Sequence, residues 1–248
     1  MKKYILHNLE IIHNRINLAC EKAGRNPNEV RLLLATKTVS PDRIKIALEN
    51  GQTLIGENKI QELKEKYEAL KGTLHENHFI GHLQTNKIKD ILKYEVTCIQ
   101  SLDRLDLAEK LHQRLSADNK TLEVLIQVNT SNEESKFGIN PGAAIELIKN
   151  VSQFPTLKIK GLMTIGLFSA EAEKVRQCFK ILKNLQQEII RENIPNVEMK
   201  ELSMGMSGDL ETAIEEGSTI VRVGTAVFGA RMHPDSYYWN EGTIENKE

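Results

Sequence analysis

The 248-residue chain has little net charge, few cysteines and no long apolar run, and each shortage excludes a class of protein. Its 33 Lys and Arg residues almost balance 34 Asp and Glu residues, whereas a dedicated nucleic-acid binder carries a basic excess that displaces counterions. The three cysteines, Cys20, Cys98 and Cys178, form no CxxC pair, so neither a disulfide framework nor a zinc site is predicted. We therefore expect free thiols, a cytoplasmic location and no nucleic-acid partner.

No window of the sequence reaches 18 apolar residues, so no membrane-spanning helix is predicted. The N-terminal segment is interrupted by His7, Asn8 and Glu10, and a signal peptide has an uninterrupted apolar centre. With 40% hydrophobic and 27% charged residues, the composition is that of a globular protein. A length near 250 suits either two small domains or one α/β barrel.

Short β-branched runs alternate with longer amphipathic stretches along the whole chain. We predict strands at 30–35, 53–56, 78–81, 96–100, 122–128, 159–165, 197–202 and 218–223. We predict helices at about 2–24, from Ser40 to Asn50, and at 58–71, 84–93, 103–116, 142–151, 170–193 and 209–216. Eight such units fit a single (β/α)8 TIM barrel, an α/β fold, better than an open sheet. The predicted domain spans 1–248, with the leading helix, a barrel at about 30–231 and a short C-terminal tail.

Two loops rich in glycine and hydroxyl groups follow the last two predicted strands, at 202–209 (LSMGMSGD) and 223–230 (VGTAVFGA). In barrels of this class the active face lies at the carboxyl ends of the strands, and phosphate commonly binds after strands seven and eight. Glycine lets backbone N–H groups approach an anion, and Ser or Thr adds a donor. Either loop alone is also typical of a tight turn with an N-capping serine. Two such loops at both positions favour a phosphate site.

Two cations end predicted strands at the same rim. Lys37 ends the first strand, where it either reaches solvent, pairs with Glu57, or forms a Schiff base with an aldehyde after losing its proton. Arg222 ends the last strand, and an arginine buried there needs a ligand or a carboxylate. A lysine, an arginine and two anion-binding loops on one rim suggest an aldehyde that carries a phosphate. Pyridoxal 5′-phosphate (PLP) is such a molecule.

A resemblance to a known family rests on nine segments that run in family order along most of the chain. They are 35–38 (ATKT), 56–62 (GENKIQE), 78–87 (HFIGHLQTNK), 99–103 (IQSLD), 127–129 (QVN), 136–138 (KFG), 161–163 (GLM), 202–207 (LSMGMS) and 221–231 (VRVGTAVFGAR). On these segments the chain resembles the pyridoxal phosphate homeostasis protein family. Members of that family are single-domain barrels similar to the N-terminal domain of alanine racemase, the fold-type III architecture for PLP.

The resemblance implies a role for seven residues of this sequence. Lys37 corresponds to the lysine that holds PLP as a Schiff base, Arg222 to the arginine that faces the pyridine nitrogen, and Asn58 to a residue lining the pocket near the ring. The positions that correspond to the phosphate site are Met206, through its backbone, Ser207, Gly224 and Thr225. No metal ligand is predicted, because His78 and His82 lack a third ligand nearby. No catalytic residue is predicted, because the implied role is binding without turnover.

The implied function is to bind PLP and to buffer it or deliver it to apo-enzymes, without turnover. An arginine at the pyridine nitrogen makes the ring a weaker electron sink. Racemases of this fold also take a second acid or base from a domain that follows the barrel, and only about 17 residues follow Arg231 here. We therefore expect a monomer that is not an enzyme, with PLP as ligand and apo-enzymes as transient partners.

Two alternatives remain open from the sequence. One is a small PLP-dependent amino-acid racemase or lyase, with its second acid or base in the loop at 78–82. The other is a barrel that binds a sugar phosphate, in which Lys37 acts only through its charge. The remaining charges have ordinary explanations, and the alternation of Glu and Lys at 62–66 predicts a solvated helix face.

Overall fold

Eight parallel strands close into a barrel in chain order, and the last strand pairs with the first. The computed structural model describes residues 1–133, 135–167, 169 and 171–230. The strands are β1 (Arg31–Ala35), β2 (Leu54–Glu57), β3 (Glu76–Phe79), β4 (Cys98–Leu102), β5 (Leu122–Gln127), β6 (Leu157–Met163), β7 (Val197–Ser203) and β8 (Ile220–Val223). The predicted (β/α)8 barrel is confirmed.

Helices precede the barrel and connect its strands. They are α1 (Lys2–Lys22), α2 (Pro41–Leu48), α3 (Ile60–Leu70), α4 (Ile88–Ile91), α5 (Leu105–Ala117), α6 (Pro141–Val151), α7 (Ala172–Glu192), α8 (Leu210–Glu215) and α9 (Thr225–Phe228). The long helices α5, α6 and α7 lie within two residues of their predicted bounds. The predicted helix at 84–93 is wrong in part, because Thr85–Lys87 forms a 3₁₀ turn before the single turn of α4. Thr and Asn are poor helix formers, which accounts for the shorter helix.

The strand β3 ends two residues earlier than predicted. An ideal Cβ on Gly81 would lie 2.0 Å from the backbone oxygen of Asn58, so only a glycine allows the chain to pass this close to the end of β2. The apolar residues after Phe79 therefore belong to a loop that packs on its neighbour and not to the ladder. The predicted C-terminal tail, with Arg231 at its start, lies outside the described residues.

The core lies between the helices and the outer face of the barrel, and α1 completes it on one side. Buried residues of α1 pack with those of α2, α8, β1 and β8 in one cluster. Arg15 of α1 also pairs with Glu211 at 2.6 Å and donates to the backbone oxygen of Ser207 at 2.9 Å. The leading helix therefore supports the loop after β7, which is one of the two predicted phosphate loops.

None of the helices in the described ranges is both long and apolar enough to cross a membrane. Within the same ranges, no group of three His, Cys, Asp or Glu side chains is placed to hold a metal ion. The three cysteines are buried and free.

Candidate functional site

The closed barrel brings all seven predicted site residues to one rim. Because β8 pairs with β1, the strands β7, β8, β1 and β2 are consecutive neighbours, and the predicted residues end or follow these four strands. Val223 of β8 is paired with Leu34 of β1, so the chain that continues to Gly224 and Thr225 runs beside the chain that continues to Lys37. Asn58 follows β2, Met206 and Ser207 follow β7, and Arg222 lies within β8.

Gly224 sets the distance between the end of β8 and the end of β1, the strand that leads to Lys37. An ideal Cβ on Gly224 would lie 2.9 Å from the backbone oxygen of Ala35, so any side chain there would push the two strand ends apart. The loop after β8 and the turn that contains Lys37 therefore meet because this position is glycine. The first N–H groups of α9, which begins at Thr225, have no acceptor within their own helix.

Lys37 lies in a tight turn that directly follows β1. The N–H of Val39 donates to the oxygen of Thr36 at 2.9 Å, and Thr38 has a φ of 65°. A β-branched residue in this left-handed region is strained, and such strain persists only where surrounding contacts hold it. Here the backbone N–H of Thr38 donates to Oε2 of Glu62 at 3.1 Å. The side chain of Lys37 is half-buried.

A buried ion network lies directly behind this turn. Lys66 of α3 donates to the backbone oxygen of Thr36 at 2.8 Å and to Oε1 of Glu57 at 2.7 Å, and it pairs with Glu62 at 2.5 Å. The hydroxyl of Thr36 donates to the same Glu57 oxygen at 2.6 Å. Burial raises the pKa of Glu57, although the charge and hydrogen bond of Lys66 oppose the shift. The residues on both sides of Lys37 are therefore held by one paired cluster.

The predicted solvated face at 62–66 is wrong at Lys66, which is only 6% exposed. Lys66 lies on the same face of α3 as the buried Leu63 and Leu70, and Glu57 supplies the compensating charge from the preceding strand. The signal was present in the sequence, since positions 63, 66 and 70 share one helical face. A lysine on that face needs a carboxylate partner when it is buried.

Arg222 is buried at the same rim but bonds only to neutral oxygens. Its Nη1 donates to the hydroxyl of Ser203 at 2.7 Å, and its Nη2 donates to the backbone oxygen of Thr164 at 2.7 Å. Burial lowers the pKa of Arg222 to about 10, and the charge of Asp209 opposes the shift. Arg222 therefore stays cationic at neutral pH while no carboxylate in the described part of the chain contacts it. Ser203 and Thr164 were not predicted as site residues.

The loop after β7 is folded on itself around Asp209. The N–H of Met206 donates to Oδ1 of Asp209 at 2.5 Å, and the N–H of Asp209 donates back to the oxygen of Met206 at 3.2 Å. The predicted backbone donor at Met206 is thus already bonded. In contrast, the hydroxyl groups of Ser207 and Thr225 form no hydrogen bond with any residue of the described ranges.

The donor set on this rim fits an anionic aldehyde. It includes a primary amine on a strained turn and the first N–H groups of a helix. Among the described residues it also includes two hydroxyls that form no hydrogen bond and a guanidinium that no carboxylate contacts. A phosphate takes hydroxyl and backbone donors, and a buried cation that no carboxylate contacts favours an anionic or electron-rich ligand atom. The residues predicted for PLP therefore match the chemistry of PLP.

Comparisons with known proteins agree with this chemistry. The sequence profile of the alanine racemase N-terminal domain family matches residues 8–232. A pyridoxal phosphate homeostasis protein of Aquifex aeolicus is 46% identical over 225 residues, which are 91% of this chain and 97% of that protein. The chain belongs to the pyridoxal phosphate homeostasis protein family. A homeostasis protein of Escherichia coli is 39% identical over 92% of this chain and 97% of its own length.

Solved structures of similar chains superpose on this barrel. PipY of Synechococcus elongatus, in a structure with PLP bound, superposes with a TM-score of 0.75 at 30% identity and covers 88% of this chain and 100% of its own. A protein of Bifidobacterium adolescentis superposes with a TM-score of 0.86 at 39% identity, over 92% and 95% of the two chains. Alanine racemase of Clostridium difficile, at 12% identity and a TM-score of 0.73 over 58% of its chain, shares the fold alone.

Proposed function

We propose that this protein binds PLP at the carboxyl rim of the barrel and serves PLP homeostasis. The observation that carries the proposal is the convergence of Lys37, Arg222 and the Gly224–Thr225 loop on adjacent strand ends. The names of the relatives and the PLP-bound state of PipY support the same ligand. Bound PLP supplies an aldehyde carbon and an electron-withdrawing ring.

Each predicted residue has a task in this proposal. The amine of Lys37 condenses with the aldehyde to form a Schiff base, and one water molecule is released. Ser207, Gly224 and Thr225 bind the phosphate, and Arg222 faces the ring nitrogen as a donor. Asn58 lines the pocket beside the ring, and Met206 keeps the loop after β7 in shape through its bonds with Asp209.

We further propose that the protein holds PLP without catalysing turnover. A guanidinium keeps its proton, so Arg222 donates a hydrogen bond to the ring nitrogen and does not protonate it. An unprotonated ring withdraws electrons less strongly, which disfavours removal of an α-hydrogen from an amino acid. The absence of turnover is tested by α-hydrogen exchange in deuterium oxide, followed by NMR over a panel of amino acids. Steady exchange at about one event per second, the low end of typical enzymes, would overturn this part of the proposal.

The binding proposal is tested by borohydride reduction of the protein loaded with PLP, followed by peptide mapping. We expect the reduced label on Lys37, and we expect Lys37→Ala to lose the visible absorbance of the Schiff base while it keeps the wild-type circular dichroism. A matched variant is Lys64→Ala, because Lys64 is an exposed lysine of α3. A label on another lysine, or a protein that stays colourless with added PLP, would refute the assignment.

The partners and the location belong to the same proposal. Delivery of PLP to apo-enzymes, the monomeric state and the cytoplasmic location are predictions from the sequence. Transfer is measured by mixing the loaded protein with an apo-enzyme and following the recovery of that enzyme's activity. The recovery should exceed that produced by the free PLP which the loaded protein releases on its own.

A further inference from the structure

A chain of four buried polar side chains crosses the inside of the barrel below Arg222. Arg222 of β8 donates to the hydroxyl of Ser203 of β7 at 2.7 Å, and that hydroxyl donates to Oε1 of Gln100 of β4 at 2.6 Å. Nε2 of Gln100 then lies 2.8 Å from Nδ1 of His78 of β3. Each of these residues is at most 6% exposed. Hydrogen bonds thus connect the rim with the middle of the barrel.

Two small clusters of buried apolar residues include members of β8 and β4, two of the strands that carry this chain. One cluster comprises Leu33, Leu54 and Ile220, with Ile80 packed against it, and the other comprises Cys98, Leu125 and Met163, with Ile165. Polar groups in such surroundings are costly when a bond is missing. Each member of the chain therefore depends on its neighbour for a partner.

Arg222 and the orientation of the Gln100 amide together set the direction of the hydrogen bonds in this chain. A guanidinium only donates, so Oγ of Ser203 accepts from Arg222 and its single proton goes to Oε1 of Gln100. The amide NH2 of Gln100 then faces His78, and Nδ1 of His78 must accept. The proton of the neutral ring therefore lies on Nε2, which is 3.6 Å from Oε2 of Glu76.

The opposite end of the chain supports this direction. Glu76 pairs with Arg31 at 2.7 Å, and the ring of His78 and the guanidinium of Arg31 lower the pKa of Glu76 to about 2. Glu76 is therefore a carboxylate at neutral pH and attracts the N–H at Nε2 of His78. A ring with its proton on Nδ1 would instead oppose the NH2 of Gln100.

We propose that Ser203, Gln100 and His78 are positioning residues that orient the guanidinium of Arg222, and that His78 acts as the neutral Nε2–H tautomer. The proposal deepens the proposed function, because Arg222 is there assigned to the ring nitrogen of PLP. It also predicts which nitrogen of His78 carries the proton when no ligand is bound.

The first test uses the wild-type apoprotein. Long-range ¹H–¹⁵N correlation at neutral pH reports the protonation of both ring nitrogens, and the signal that disappears in His78→Asn assigns His78. We expect an unprotonated Nδ1 and a protonated Nε2. A ring protonated at Nδ1, in either the neutral or the cationic form, would overturn the proposal. Because no PLP is present, this result does not depend on the proposed function.

The second test compares two replacements of His78 in the full-length protein. His78→Asn keeps an acceptor close to the position of Nδ1, whereas His78→Leu leaves the NH2 of Gln100 without one. We expect the dissociation constant of PLP to rise about tenfold in His78→Leu and to stay within about threefold of wild type in His78→Asn. Equal affinities in the two variants would contradict the positioning role. If the wild type itself does not bind PLP, the proposed function fails while the tautomer measurement still decides the hydrogen-bond chain.

Discussion

The site contains two buried cations whose surroundings differ. Lys66, behind the turn of Lys37, bonds to the carboxylates of Glu57 and Glu62, whereas Arg222, on the other side of the same rim, bonds only to neutral oxygens. A buried cation with carboxylate partners stabilises the framework, because those partners balance its charge. A buried cation that no carboxylate contacts can interact with an anionic or electron-rich atom of a ligand. Of these two buried cations, only Arg222 is therefore expected to act on PLP directly.

The largest effect on stability is expected from Lys66→Met. The substitution leaves Glu57 buried without its cation, and breaking a buried pair in this way costs about 3–5 kcal/mol of the free energy of unfolding. Urea denaturation followed by circular dichroism measures the loss. The control Lys64→Met changes an exposed lysine of the same helix and should have little effect. Adding Glu57→Gln to Lys66→Met should restore part of the stability, and an equally unstable double variant would contradict the pairing argument.

The next effect concerns the hydroxyls of Ser207 and Thr225 in the two predicted phosphate loops. Ser207→Ala and Thr225→Val should each weaken PLP binding by one to two decades, because a hydrogen bond to a charged group contributes about 1.5–3 kcal/mol. Titration of the apoprotein with PLP gives the affinities. Thr121→Val, before β5 at the opposite end of the barrel, is the control. Wild-type affinity in both rim variants would place the phosphate elsewhere.

Arg222→Met should weaken PLP binding without a comparable loss of stability. We expect a free energy of unfolding within about 1 kcal/mol of wild type, because lost hydrogen bonds are offset by removal of a buried charge that no carboxylate of the described residues contacts. PLP affinity should fall at least about tenfold in the same variant. A stability loss as large as that of Lys66→Met would show that the two cations play the same structural role.

The sequence alone predicted the barrel and drew attention to the cations near the ends of its strands. Eight strand–helix units predicted the fold, and Lys37 and Arg222 were noticeable because each is a cation at the end of an apolar run. The burial of Lys66 was missed because its partner Glu57 belongs to another element. The bond from Ser203 to Gln100 joins positions 103 residues apart, and only the closure of the barrel brings them together. Local patterns thus identify the cations at the rim, whereas the partners of those cations depend on strand register.

The smallest effect is expected from the pair of Arg31 and Glu76 at the opposite end of the barrel, where both side chains are partly exposed. The folded state lowers the pKa of Glu76 from 4.5 to about 2 through His78 and Arg31. The stabilisation is therefore complete above about pH 5 and is lost as the pH falls toward 2. Because solvent screens the pair, Glu76→Gln should cost at most about 1 kcal/mol at pH 7.

The cost of Glu76→Gln should shrink as the pH is lowered from 7 to 3.5, since Glu76 of the unfolded wild-type chain, with a pKa of 4.5, then takes up a proton while the folded protein, with a pKa of about 2, keeps its carboxylate. Urea denaturation of wild type and variant at several pH values measures the difference. A constant difference across this range would mean that the charge of Glu76 contributes nothing, and that the variant acts through packing alone. A cost near that of Lys66→Met would contradict the comparison, because a partly exposed pair would then match a buried one.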